Sequence, residues 1–482
     1  MNYDVVIIGS GFGGLCSAIK LREAGIDNIV ILEKDEAFGG TWRVNHYPGA
    51  ACDVPSHLYS FSFAQNAGWS RLFPRQDELL AYTERIVRDY ELAPLIRLGT
   101  TLKSAHFDEA EGCWHIETNK GSMTARAIVS AFGALSRPSI PHFEGIEEFR
   151  GESFHSAVWK HDVDLRGKRV AVIGNGASAV QFIPEIVPKV ASLDHYQRTA
   201  HWVLPRPDRP VRGVEKWLLE HAKPLQNLYR AKHYSFYESR ALIFVFAPWF
   251  ARLVQWEAKR FLKKQVADPA LRAKLTPGYV LGCKRVLLAS NYYPALTQPH
   301  VSVQTDGISE IRAHSIVTSR GEERPVDVLI FATGFDVAHG MAQADIRGRN
   351  GRELGRALAE DGAYKGCTVA GFPNFFMITG PNTGLGHNSM IYMIESGVRY
   401  AVDAVRHLLR KDVHSIEVHD RAQRAYNDAL QRRLRGTVWN TGCKSWYLDA
   451  QGRNFVLWPG FTFHYRRITK RFDSNNYNIQ GR

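Results

Sequence analysis

Scarce cysteine and the absence of any metal-binding pattern are the first constraints this sequence imposes. Its six cysteines, Cys16, Cys52, Cys113, Cys283, Cys367 and Cys443, are scattered along 482 residues, with no CxxC pair and no histidines at zinc-ligand spacing. That scatter argues against a redox disulfide and a structural metal, and for a reducing compartment. No apolar run reaches the roughly 18 residues that a membrane-spanning helix requires. Long basic runs are missing as well. The 61 Lys and Arg outnumber the 48 Asp and Glu by 13, and the pI is about 9.4. The excess is dispersed and no nucleic-acid-binding module is visible, so nucleic acid is not an expected partner. A basic surface still suits an anionic cofactor or an anionic membrane face. Residues 4–8, DVVII, open a strand almost at the first residue, which leaves no room for a signal peptide and makes a cytoplasmic location the expectation.

What the sequence does contain is a repeated nucleotide-binding pattern. The short apolar run DVVII is the kind of strand that lies in a parallel sheet covered on both faces. It leads into Gly9-Ser10-Gly11-Phe12-Gly13-Gly14 and then a helical segment. Glycine at 9 permits the tight turn, at 11 lets backbone approach a pyrophosphate, and at 14 lets helix pack closely on strand. The free N–H groups and positive dipole end of the helix face the phosphates. A second strand ends at Glu33, 19 residues after Gly14, where a carboxylate can accept from both ribose hydroxyls.

The pattern recurs at 168–173, KRVAVI, followed by Gly174-Asn175-Gly176-Ala177-Ser178-Ala179. Its second strand leads to Arg198, again 19 residues past the third small residue, with Thr199 beside it. A carboxylate there would repel a 2′-phosphate, whereas a guanidinium pairs with one. The first unit is therefore expected to hold an unphosphorylated adenosine ribose and the second that of NADPH. The competing reading of Arg198 is a solvated arginine at a strand end.

A third apolar strand within 326–336 runs into Ala332-Thr333-Gly334. It resembles the ATG segment of flavoproteins with two dinucleotide domains, at the point where the chain returns to the FAD domain. The expected fold is α/β, with two Rossmann-like dinucleotide-binding domains. Residues 1–147 and 331–482 would form the FAD domain, and 148–210 and 278–330 the NADPH domain. Residues 211–277, long, aromatic and helical in pattern, would form a helical insertion within the second.

Further motifs carry a family resemblance. Gly39-Gly40-Thr41-Trp42 and Tyr47-Pro48-Gly49-Ala50-Ala51-Cys52-Asp53 look like the GGxW…YPGxxxD signature of the Baeyer–Villiger monooxygenases, within the class B flavin monooxygenases. Phe149, Gly151, His155 and Trp159 match that family's FxGxxxHxxxW fingerprint, although Lys160 stands where most members carry Pro or Asp. The resemblance continues through Gly282-Cys283-Lys284-Arg285, Gly380-Pro381-Asn382-Thr383 and Ser445-Trp446-Tyr447, so it spans nearly the whole chain.

The resemblance implies an FAD- and NADPH-dependent enzyme that forms a peroxide at flavin C4a from O2. The peroxide attacks a ketone and leaves an ester or lactone. It further implies that Arg285 stabilises the anionic species and that Asp53 lies near the flavin and orients Arg285. Gly40, Thr41, Trp42, Tyr59 and Leu102 would join the FAD contacts, Lys284 would help Arg198 grip the 2′-phosphate, and Trp446 would reach the NADP side. Core packing is the competing reading for the aromatics, an interface ion pair for Arg285, and a turn cap for Asp53. His155 fits an interdomain hinge better than a general base. No metal is expected.

The insertion includes the apolar stretch 242–250 beside Lys259, Arg260, Lys263 and Lys264. It suits core packing, a pocket for a bulky apolar ketone, or peripheral membrane contact through 241–264. Three other functions compete with ketone oxygenation: N- or S-oxygenation by the same flavin chemistry, disulfide reduction, and a non-catalytic nucleotide sensor. The missing CxxC speaks against the second, and Asp53, Lys284 and Arg285 together speak against the third.

Overall fold

The computed structural model describes residues 2–133, 135, 137–336, 344–443, 445–449 and 451–481. The chain begins with β1 (Asn2–Ile8), α1 (Phe12–Glu23) and β2 (Ile29–Leu32), and β1 and β2 pair in parallel with Ile8 opposite Leu32. Val5, Val6 and Ile7 are fully buried, as expected of a strand with helices or chain on both faces. Three antiparallel strands follow, β3 (Leu102–Asp108), β4 (Cys113–Thr118) and β5 (Gly121–Ser130). The long β5 turns back beside β1 as its parallel neighbour.

The chain then builds a second, wholly parallel sheet from β6 (Glu152–His155), β7 (Arg169–Ile173), β8 (Ser192–Tyr196), β9 (Val301–Gln304) and β10 (Val328–Phe331). Their order is β9-β8-β7-β10-β6, with α2 (Ala177–Ile186) crossing between β7 and β8. The chain afterwards rejoins the first sheet. There β11 (Asp345–Arg347) pairs with β3, and β12 (Phe375–Met377) pairs with the end of β5 that the hairpin leaves open. The fold is therefore α/β with two Rossmann-like units, one inserted into the other, and strand ends fall within a residue or two of their sequence expectations.

Between β8 and β9 lies the helical insertion, with α3 (Gly213–His221), α4 (Lys223–Ser239), α5 (Ala251–Gln265) and α6 (Pro269–Lys274). Its inner residues Ala241, Phe244, Val245 and Ala258 share a core with Leu385, Trp439, Tyr447 and Trp458 from the C-terminal part. That shared apolar core fixes the insertion against the first unit. Met393 of α7 (Met390–Leu408) belongs to the same core. No helix among the described residues is long and apolar enough to cross a membrane.

One covalent link was not visible in the sequence. Cys283 and Cys443, 160 residues apart, are joined in a disulfide, while Cys16, Cys52, Cys113 and Cys367 are free and buried. The scatter, with no CxxC, argued against a redox disulfide and for a reducing compartment; this link is a long-range one, and the fold brings its two Cα atoms to 6.2 Å.

Candidate active site

Each glycine-rich loop is a crowded backbone crossing. Gly9 has φ +95°, and a Cβ on Gly14 would stand 1.9 Å from the Gly9 carbonyl oxygen. In the second unit Gly174 has φ +103°, and its Cβ would meet the Ala332 carbonyl at 2.4 Å. Ala332 belongs to the ATG segment, so that segment's close turn is made against the second loop. Gly14 and the fully buried Ala179 pack behind the loops rather than facing the space in front of them.

That space is a cavity of about 1810 Å³ running past both loops. Pockets for one small ligand span roughly 300–1,000 Å³, so there is room for two dinucleotides and a substrate. Along its first half stand Gly9, Gly11, Gly13, Glu33, Gly40, Thr41, Trp42, Asp53, Tyr59 and Leu102. Gly174, Gly176, Ala177, Ser178, Arg198, Thr199, Lys284, Arg285 and Trp446 line the remainder.

Glu33 follows β2 and is buried, with Oε2 accepting from the Ser10 backbone N–H at 2.9 Å and hydroxyl at 2.5 Å. Its Oε1 accepts from the Asp35 N–H. The carboxylate thus braces the loop while facing the cavity, a second task that the spacing alone did not reveal. The Trp42 indole N–H donates to the Tyr59 hydroxyl at 3.2 Å, which locks the two aromatics at right angles. Together these features fit FAD: a cradle closed to a Cβ at Gly9, Gly14 and Gly40, a helix N-terminus, and a carboxylate at the ribose end.

In the second half, Arg198 and Thr199 are exposed on the loop after β8, and the Lys284 ammonium donates to the Thr199 hydroxyl at 3.1 Å. Burial and then the Arg198 charge lower the proton affinity of Lys284. Two cations and a hydroxyl converging at the end of the second unit suit a 2′-phosphate.

Asp53 and Arg285 meet between the two halves. The guanidinium Nε donates to Oδ2 at 3.1 Å, and Nη2 donates to Oδ1 at 2.7 Å and Oδ2 at 2.5 Å. Burial would raise the Asp53 carboxyl, but the charge and hydrogen bonds of Arg285 outweigh it and hold it below the usual range. Asp53 in turn raises Arg285, against burial, so the guanidinium stays charged. The Arg285 side chain stays 44% exposed in this pair and lines the cavity. Cys283, next to Lys284, carries the disulfide to Cys443 just before Trp446. Tyr447 is buried with its hydroxyl on the Arg285 backbone. Sequence reasoning missed Ser10, Tyr447 and this link.

His155 sits at the end of β6. Its Nδ1 accepts from the Ala157 N–H, its ring packs on Phe335, and burial pushes it down to about 4. It packs the fingerprint segment against the chain leaving β10 and lies outside the cavity lining. Trp159 is core, packed between Phe154 and Phe182. Lys160 is on the surface in an ion pair with Glu152 at 2.8 Å, so the departure at that position does not reach the cavity.

Comparison with known proteins follows the same lines. The profile of the family described as pyridine nucleotide-disulphide oxidoreductase matches residues 6–238. A Baeyer-Villiger monooxygenase from Pseudomonas aeruginosa is 50% identical over 98% of this chain and 91% of its own length. Among solved structures, an oxidized steroid monooxygenase bound to NADP has a TM-score of 0.89 at 29% identity, with 99% of each chain covered. OTEMO in complex with FAD and NADP superposes with a TM-score of 0.89 at 25% identity, again with 99% of each chain covered.

Proposed function

This chain belongs to the Baeyer–Villiger monooxygenase family, and from that premise we propose that Arg285 and Asp53 are its catalytic pair and a bulky apolar ketone its substrate. The enzyme is an FAD- and NADPH-dependent monooxygenase that inserts one oxygen atom of O2 beside a ketone carbonyl. The overall reaction is ketone plus O2, NADPH and a proton to ester or lactone, NADP+ and water. Bound FAD, once reduced by NADPH, supplies the activated oxygen.

The protein's part is to hold, orient and neutralise. The first glycine loop, Glu33, Trp42 and Tyr59 would seat FAD; the second loop, Arg198, Thr199 and Lys284 would seat NADPH. Arg285 carries the reading, because it is a permanent cation whose partly exposed side chain lines the cavity that also carries the residues of both seats. Negative charge developing on the ketone oxygen would be stabilised by donors already in place, with no reorganisation at the moment of reaction. Asp53 fixes the plane of the guanidinium and keeps it charged.

The insertion supports a bulky apolar substrate. Phe236, Tyr237, Ile243, Phe244 and Val254 line the cavity opposite Leu385 and Met390. Its outer face presents Trp249, Leu253 and Trp256, exposed by 64%, 63% and 63%, beside the exposed Lys259, Arg260, Lys263 and Lys264. Aromatic and basic side chains so placed favour peripheral contact with an anionic membrane. Co-sedimentation with phosphatidylserine vesicles, lost in a Trp249→Ser, Trp256→Ser variant, is the expected result; retention by that variant would remove the contact. For the reaction itself, a panel of ketones and sulfides is decisive: esters from the larger apolar ketones support the reading, and oxidation of the sulfides alone would replace it with S-oxygenation.

A further inference from the structure

Asp53 reaches the second unit through its carboxylate, and the backbone just ahead of it is held by that unit as well. Gln181, one turn into α2, pairs with Ala51. Its Nε2 donates to the Ala51 carbonyl at 2.9 Å, and its Oε1 accepts from the Ala51 N–H at 3.3 Å. The same Oε1 accepts from the Tyr47 hydroxyl at 2.9 Å. The turn from Tyr47 to Ala51 lies directly on α2, because a Cβ at Gly49, where φ is +77°, would stand 2.8 Å from the Gln181 carbonyl oxygen.

Arg206, in the chain between β8 and α3, holds the next residue. Its Nη2 donates to the Cys52 carbonyl at 2.8 Å, and its guanidinium lies 5.1 Å from the centre of the Phe73 ring. That is the guanidinium's only hydrogen bond among the described residues, and Nε is buried without a partner. Asp208 is paired with Arg71 instead. Burial lowers the proton affinity of Arg206, and the Asp208 charge opposes it. A half-buried cation with no carboxylate partner is destabilising unless its surroundings use it. Here it is used by the Cys52 carbonyl. A peptide unit is planar, so holding the carbonyls of Ala51 and Cys52 fixes the two planes that lead into Asp53. Gln181 lines the nucleotide cavity, whereas Arg206 lies outside its lining and acts only through the chain it holds.

We infer that Gln181 and Arg206 are positioning residues for the reaction. They set the backbone of Ala51 and Cys52 against the second unit, so that the Asp53 carboxylate meets Arg285 with both oxygens. The inference rests on the reading of Asp53 and Arg285 as the catalytic pair. Loss of either clamp leaves the residues of both nucleotide seats in place and lets the carboxylate drift from the guanidinium. Reduction by NADPH then continues, and oxygen leaves as hydrogen peroxide in place of ester.

The test is a double-mutant cycle. Gln181→Met, Arg206→Met and Asp53→Asn are compared singly, and each methionine change is then combined with Asp53→Asn. NADPH consumed, ester formed and peroxide released are the readouts. Each methionine variant should lose up to the factor that Asp53→Asn itself loses in ester kcat/KM, about 10-fold, with a matching rise in peroxide and an unchanged KM for NADPH. In the Asp53→Asn background the same changes should have less than about a 2-fold further effect, because residues that act through one group are not additive. Arg206→Lys, which keeps a donor for the Cys52 carbonyl, should restore part of the coupling. FAD content and thermal midpoint would show which variants fold, with Gln181→Asn and Arg206→Gln standing in for one that does not. Full coupling in the folded single variants, losses that persist undiminished beside Asp53→Asn, or a raised KM for NADPH with coupling intact would each overturn the positioning role. If Asp53→Asn itself left ester formation unchanged, the catalytic pair would fall, and the positioning role with it.

Discussion

Arg285 and Asp53, 232 residues apart in the chain, meet in a two-pronged ion pair in which Nη2 reaches both carboxylate oxygens and Nε reaches one. The pair ties the second nucleotide unit to the first at the point where the two seats converge, and it leaves the Arg285 side chain partly exposed where it lines the cavity.

Removing that charge should uncouple the enzyme. Arg285→Ala is expected to lower ester formation by about 100- to 1,000-fold, the usual loss for a preorganised donor at a developing oxyanion. NADPH consumption should continue with release of hydrogen peroxide. Parallel assays of NADPH, product and peroxide check this, and full coupling in the variant would remove Arg285 from the chemistry.

Asp53 should leave no mark on the acid side of the pH profile. Its carboxyl is held below the ordinary range, so its contribution is complete above the ordinary aspartate value and is lost only as pH falls through the depressed one. Asp53→Asn is therefore expected to lower kcat/KM by about 10-fold or more, the loss of a charged hydrogen bond. The factor should be the same from about pH 5 to 9. A defect that disappears at the acid end of that range would contradict the assignment.

The cations at the end of the second unit should set coenzyme preference. Arg198→Ala and Lys284→Ala are each expected to raise KM for NADPH by about 10- to 100-fold, with little change for NADH. Steady-state kinetics with both coenzymes provides the check. An unaltered NADPH preference in both variants would place the 2′-phosphate elsewhere.

Gly14→Ala would put a methyl group 1.9 Å from the Gly9 carbonyl oxygen. Overpacking of backbone against backbone should destabilise by at least about 1–3 kcal/mol and strip FAD from the purified protein, measured as the ratio of visible to ultraviolet absorbance. Gly176→Ala, where a Cβ meets nothing within 4 Å, serves as the mild counterpart.

The Cys283–Cys443 disulfide closes a long loop, and its removal in Cys443→Ser should lower stability by about 2–4 kcal/mol. Because it links the residue before Lys284 to the segment carrying Trp446, KM for NADPH should rise as well. Calorimetry and kinetics of the variant decide this; a free-thiol count showing both cysteines reduced in the native protein would remove the link.

The nucleotide units were legible because they depend on local sequence: an apolar strand, glycines at fixed offsets, and Glu33 or Arg198 at the end of the next strand. The insertion was legible as helical for the same reason, since α3, α4 and α5 carry their periodicity within themselves. What was hidden depends on distant contacts. No spacing announces that Ser10 will hold Glu33, that Tyr447 will reach the Arg285 backbone, or that Cys283 will find Cys443. The partnership of Asp53 with Arg285 was reached through family resemblance alone.

Turnover of a bulky apolar ketone under 18O2 with NADPH tests the central claim most directly, comparing wild type with Arg285→Ala. The expected result is an ester or lactone holding one 18O atom, formed one-for-one with NADPH oxidised, and lost in the variant while hydrogen peroxide appears. An unlabelled product, or labelled sulfoxide from a sulfide with no ester from any ketone, would contradict it.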